Sequence, residues 1–229
     1  MLKKKPSSTA FFIALFVFLT TIIMEPGMAT PKSALIKLDL SGQAISFSSP
    51  VNYSKDFPWP SEKEYRINIH DKDIYKSAYT ELENAYSIRQ SYWDYGRGII
   101  FGGAKGTLSM TMVLYRTFDK NTDAKNSSEF ITALQTDFEK TYDKQAREEF
   151  GIELPEHYQT TAISNLDWGH YEYLMGRGER HVVYAIPVSE QHYLMITFNF
   201  INNSHGEKND WKDQAQATVD FIMSSFKMN

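Results

Sequence analysis

Histidines and carboxylates in the last third of the chain are the densest source of possible chemistry. Asp167, His170 and Glu172 fall close together, and His181 and His192 follow in the next two alternating runs. Residues two apart on an extended strand share a face, so His170 and Glu172 point the same way. A histidine from a neighbouring strand would complete a three-ligand metal site of the kind that activates water. That is the enzymatic alternative: a hydrolase or metal-dependent enzyme centred on His170 and Glu172. Against it, the chain's 6 histidines are scattered, and coincidences of this kind come easily. His181 and His192 also open their strands, where solvated histidine is ordinary.

Other constellations are poorer. With 0 cysteines, thiol catalysis and thiolate metal sites are excluded. No serine sits in a G-x-S-x-G elbow and no H-E-x-x-H occurs. Gly102-Gly103-Ala104-Lys105-Gly106-Thr107 invites comparison with a phosphate loop, but Lys105 is misplaced and both flanks alternate as strands, so the segment reads as a hairpin turn. Glu148 with Glu149, and Glu153 with Glu156, are too local to converge on one glycosidic bond, and a solvated face accounts for them. Asn52, Asn126 and Asn202 head Asn-x-Ser triplets, which are glycan acceptors only in a eukaryotic secretory pathway. The residues call for no catalytic group and no cofactor.

The elements that must position these residues are clearest at the end of the chain. HVVYAI and HYLMITFNFI alternate with a period of two, and Leu194, Ile196, Phe198 and Phe200 make one strongly apolar face. After NNSHGEKND, Trp211, Ala215, Val219, Ile222 and Phe226 recur at helical spacing, with Lys212, Asp213, Gln216 and Asp220 opposite. The reading is a hairpin followed by a helix laid on its sheet. Earlier, SALIKLDL and QAISFSSP alternate on either side of Ser41-Gly42, and Tyr65, Ile67 and Ile69 suggest a further strand of the same sheet. A helix capped by Asp71 or Asp73 with the stripe Tyr75, Tyr79, Leu82 and Tyr86 competes with a strand from Ser87 onward. A strand between Tyr92 and Phe101 turns at GGAKG into a return strand through Leu108, Met110, Met112 and Leu114. Asn126 precedes Glu129 by three and caps a helix through Phe130, Leu134, Phe138, Tyr142 and Ala146 that stops at Gly151. TTAISNL and WGHYEYLM follow as strands. Helices and strands are segregated, not alternating, so the fold class is α+β: an antiparallel sheet with helices packed on its faces.

Residues 1–29 read as a secretory signal peptide. Three lysines precede an apolar or hydroxyl run from Ala10 to Met24, and Gly27 and Ala29 suit cleavage after Ala29. The alternative is a retained N-terminal anchor. Residues 30–229 then form a single domain. Three lysines and one glutamate leave with the leader, taking the formal charge from −4 to −6, which makes nucleic acid a poor partner. No later run is long enough to cross a membrane, so the expected location is periplasmic or secreted. Without disulfides the domain must hold by burial alone, and 14 tyrosines and 15 phenylalanines supply apolar area for it.

On the second face of the sheet, Val113, Tyr115, Tyr171, Tyr173, Met175, Tyr193 and Met195 alternate with the core positions. One helix cannot cover both faces. Either the helix from Ser127 to Phe150 lies across this face, giving three layers, or part of it is open. In the open case Tyr115, Tyr171, Tyr173, Met175, Tyr193 and Met195 are the candidate binding residues, because tyrosine and methionine suit adaptable recognition.

With ISFSSP near the mature start, a mid-chain helix, a late antiparallel run and a closing VDFIMSSFK, the chain resembles the Mog1/PsbP-like sandwich domains, a group that includes bacterial envelope proteins and small binding proteins. The resemblance implies a non-enzymatic protein that engages a protein partner, such as an envelope assembly factor or a toxin it neutralises. It carries over no individual site residue.

Overall fold

The computed structural model describes residues 32–229 except 58–60, 76–83, 97–102, 118–121, 177 and 204–209. The leader expected at 1–29, most of the stripe from Tyr79 to Leu82 and the strand's continuation to Phe101 therefore lie outside the described residues. The elements are β1 (Ser33–Leu40), β2 (Gln43–Pro50), β3 (Glu64–Ile67), β4 (Ala85–Tyr95), β5 (Gly106–Arg116), α1 (Ser127–Thr141), α2 (Lys144–Phe150), β6 (Gln159–Ile163), β7 (Leu166–Met175), β8 (Glu179–Pro187), β9 (His192–Asn202), α3 (Asp210–Ser224) and β10 (Lys227–Met228). This is the expected α+β order of strands, helix, antiparallel strands and closing helix.

The strands form two sheets where one was expected. β4-β5-β9-β8-β7-β6 are antiparallel throughout, and β10-β2-β1-β3 make a separate smaller sheet. In the smaller one β1 pairs with β3 in parallel, Leu38 opposite Tyr65 and Leu40 opposite Ile67. The reason is burial: Ile36, Leu38, Leu40, Ile45 and Phe47 point one way and pack onto the larger sheet face to face, which an edge position would not provide. Arg89 of β4 fastens the sheets, donating to Glu62 O at 2.7 Å and to the Tyr53 and Tyr65 hydroxyls at 2.8 and 3.0 Å.

On this side the smaller sheet and α3 together cover Leu108, Met110, Met112 and Leu114 of β5 and Leu194, Ile196, Phe198 and Phe200 of β9. Trp211, Ala215, Val219, Ile222 and Met223 form the buried stripe of α3. The helix ends at Ser224, so Phe226 is not on it; the chain turns there and stacks Phe226 on Phe47, ring centroids 4.6 Å apart. On the other side α1 buries Phe130, Ala133, Leu134 and Phe138 against Tyr171, Tyr173, Val183, Ala185 and Tyr193. The described residues of 32–229 form three layers.

Three local expectations are corrected. The helix expected to run to Gly151 is two, because Asp143 accepts from Ala146 N–H at 2.8 Å and starts α2 afresh. Tyr86 belongs to β4, opposite Leu114, while Lys72–Tyr75 is a single 3-10 turn. β4 begins before Ser87, with a register shift between Ser87 and Arg89 that realigns it on β5. The caps at Asn126 and Gly151 stand where expected; Gly151 takes φ 61°, the left-handed end that glycine tolerates.

Candidate functional site

The tyrosines read as a possible open surface are roofed by α1. Tyr193, Tyr171 and Tyr173 are buried, whereas Tyr115, Met175 and Met195 are half-buried at the margin. Tyr193 donates to Asp137 Oδ2 at 2.6 Å and stacks on Tyr115 at 5.4 Å, and Phe138 sits edge-on to Tyr171 and Tyr173. Desolvation raises every one of these phenols, Tyr115 to about 12 and Tyr171, Tyr173 and Tyr193 well above their ordinary value, the last also through Asp137. A crevice of about 60 Å³ remains among them. Of the two arrangements the sequence allows for this face, the covered one holds at Tyr171, Tyr173 and Tyr193. The apolar stripe of α1 needed a partner, and Gly169 leaves Leu134 room to seat on the sheet. Asp137 was missed, although a carboxylate on the stripe between Leu134 and Phe138 signals a buried polar contact.

The second candidate constellation separates. His170 and Glu172 lie on the α3 side of β7, whereas His181, opposite Tyr173 on β8, stacks on that ring on the α1 side. His192 pairs with Arg116 at the far end of β9, and Asp167 is exposed. Both Glu172 oxygens accept from Arg180 at 2.7 Å, and its Nε2-facing neighbour His170 stands 3.8 Å away. His170 Nδ1 meets Val183 O at 2.9 Å. The Arg180 hydrogen bond lowers the Glu172 pKa, so the pair is a fixed ion pair rather than a half-built ligand set. No three metal-ligating groups converge among the described residues.

What these residues do line is a groove of about 390 Å³, between β7 and the segment 153–159, with Glu153, Leu154, Glu156, His157 and Gln159 on one wall and His170, Glu172, Leu174 and Arg180 on the other. It arises from backbone pairing. Ser164 and Asn165, both at positive φ, close a two-residue hairpin and set β6 against β7 as far as Gln159 opposite His170. Glu153 N–H then donates to Leu174 O at 2.9 Å, so five residues, 154–158, span the same stretch as three on β7. The excess bows outward. Leu154 and Leu174 are left 51% and 37% exposed on the two lips, and Phe150, whose carbonyl accepts from Gly176 N–H, is 49% exposed. Apolar side chains thus stand beside charged ones along this groove. Leu154 and Leu174 were missed because Leu174 read as one more strand residue of WGHYEYLM and Leu154 falls between the helix end at Gly151 and the next strand, where no pattern singles it out.

No family model and no curated protein matches the chain. Among solved structures, the solution structure of cyanobacterial PsbP (CyanoP) from Synechocystis sp. PCC 6803 is similar over 89% of this chain and 96% of that one, at 12% identity and a TM-score of 0.42.

Proposed function

We propose that this chain is an exported, periplasmic binding protein without a catalytic role, and that it engages a protein partner, an envelope assembly factor or a toxin it neutralises, through the groove between β7 and segment 153–159. The observation that carries this reading is the exposure of Leu154 and Leu174 on facing lips of one groove, beside the fixed Glu172–Arg180 pair. Water gains nothing from two leucines held in that way, while a partner covering them gains about 25 cal/mol for each Å² of apolar surface removed from solvent. The lysine-led N-terminus and its apolar run support export.

The test is a photo-crosslinking residue placed at Leu154 or, as a control, at Asp220 on the exposed side of α3, in the full chain expressed in its own cells. A discrete crosslinked protein from Leu154 and none from Asp220 is the expected result. Equal labelling from both sites removes the groove from the account. A stoichiometric transition metal in the purified protein would instead favour the hydrolase reading centred on His170 and Glu172.

A further inference from the structure

We infer that the chain pairs with a second copy of itself through β6, the two β6 strands running antiparallel across a two-fold axis so that the larger sheet continues from one molecule into the other. The inference is independent of the groove as a docking surface. Its first support is the direction of the backbone at the end of the sheet. β6 is the last strand of the larger sheet and pairs with β7 alone. Ile163 and Leu166 flank the turn Ser164-Asn165 and so form a hydrogen-bonded pair, and in an antiparallel ladder every second residue repeats that orientation. Gln159, Thr161 and Ile163 therefore turn N–H and C=O toward β7, while Thr160 and Ala162 turn theirs outward. Both are exposed, and among the described residues neither has a backbone partner on that side.

The second support is that the other edges are blunted and this one is not. Charge, shortness, bulges and covering backbone keep sheet edges from pairing. At the edges of the smaller sheet, β3 has 4 residues and carries Glu64 and Arg66, and β10 has 2 residues. β4 has its register shift between Ser87 and Arg89, and Ser54 N–H donates to Tyr92 O at 2.7 Å along its outer side. β6 reads QTTAI, 5 residues with neither charge nor proline.

Spacing then selects a second copy as the occupant. A two-fold axis through Thr161 sets Thr160 of each copy opposite Ala162 of the other, so that their outward groups exchange both bonds of a hydrogen-bonded pair. It sets the two Thr161 side chains against each other as a non-hydrogen-bonded pair. The second copy's β6 ends at its own turn, opposite Gln159, and so stops short of the bow at 154–158. Ile131 of α1 stands over Gly169, the residue opposite Thr160, and adds apolar area beside the seam, whereas Glu129 and Lys140 line the flank that faces Thr117 and Thr122. A seam this short falls below the roughly 1,200 Å² that stable interfaces bury, so the dimer is weak and forms with rising concentration.

The experiment is sedimentation equilibrium on the full chain, purified from an exporting host, at about 10 to 500 µM, for wild type, Ala162→Pro and Leu154→Ser/Leu174→Ser. Proline at 162 removes an outward N–H and no bond to β7. The expected result is a monomer–dimer equilibrium that the proline variant weakens at least about tenfold, with an unchanged melting curve, and that the leucine variant leaves as in wild type. Because the chain has 0 cysteines, Thr161→Cys gives a second reading: mild oxidation should join two copies through a disulfide, since facing residues of such a pair lie within its reach, and Asp167→Cys should not join them. A chain monomeric throughout this range, or a dimer indifferent to the proline and to where the cysteine stands, would overturn the inference and leave the groove untouched. A dimer lost only in the leucine variant would place self-association in the groove and overturn it as well. If the proline variant melts lower than wild type, the two cysteine variants decide.

Discussion

His181 and His192 are the side chains whose chemistry the fold alters most usefully for a test. His181 lies against the Tyr173 ring at 4.5 Å, with Nε2 buried and no hydrogen-bond partner among the described residues. Burial holds its pKa down to about 4 from an ordinary 6.5. His192, bonded through Nδ1 to Ser189 Oγ at 2.8 Å, is also held to about 4, by burial first and then by His70 and Arg116. The unfolded chain takes up these protons near pH 6.5 and the native chain does not, so stability is full above that pH and drains away as pH falls toward 4. Each histidine should cost on the order of 1–2 kcal/mol between pH 7 and pH 5. Urea melts at the two pH values, on wild type and on His181→Phe, check it: the phenylalanine keeps the ring stack and removes one proton site, so its loss should be smaller by about that amount. An unchanged pH dependence in the variant would mean that His181 takes up its proton equally in the folded and the unfolded chain. These histidines looked solvated in the sequence because each opens its strand; only the layer packed over it buries it.

At the level of elements, two glycines show how closely the layers approach. A Cβ on Gly106 would run into the Trp211 ring of α3, and one on Gly169 would run into Leu134 of α1. The indole is rigid and fully buried, whereas the leucine end can swing, so Gly106→Ala should be the more destabilising, by about 1–3 kcal/mol or more. Thermal melts that rank Gly169→Ala as the worse would place the tighter contact on the wrong side of the sheet. Within α3, Ile222→Ala should cost about 2–5 kcal/mol and the exposed Asp220→Ala about 0.5 kcal/mol or less. Equal losses in urea would show that the helix presents a different face. The periodicity of α1, α3, β5 and β9 was legible because each has one strongly apolar face. The division into two sheets was not, because alternation says which face is buried and nothing about which strand lies beside which. The candidate site was less legible still: its walls come from backbone bowing at 154–158, which no residue pattern announces, while the tyrosine face that did announce itself was needed to seat α1.

For the whole molecule, the proposed function is that of an exported domain whose aromatic residues fill two cores and whose groove beside β7 offers Leu154 and Leu174 to a partner. Export predicts a mature protein beginning near Thr30, and N-terminal sequencing that returned Met1 from membrane-bound material would contradict it. The central claim is a division of labour between the buried tyrosines and the exposed leucines. The direct measurement is a crossed one, with melting temperature and capture of the crosslinked partner recorded for Tyr171→Ala/Tyr193→Ala and for Leu154→Ser/Leu174→Ser. The account predicts that the tyrosine pair loses at least about 3 kcal/mol of stability, while the leucine pair melts like wild type and loses capture tenfold or more. A tyrosine pair that melts normally but no longer captures the partner, beside a leucine pair that captures it undiminished, would return the binding surface to the face under α1 and contradict the account.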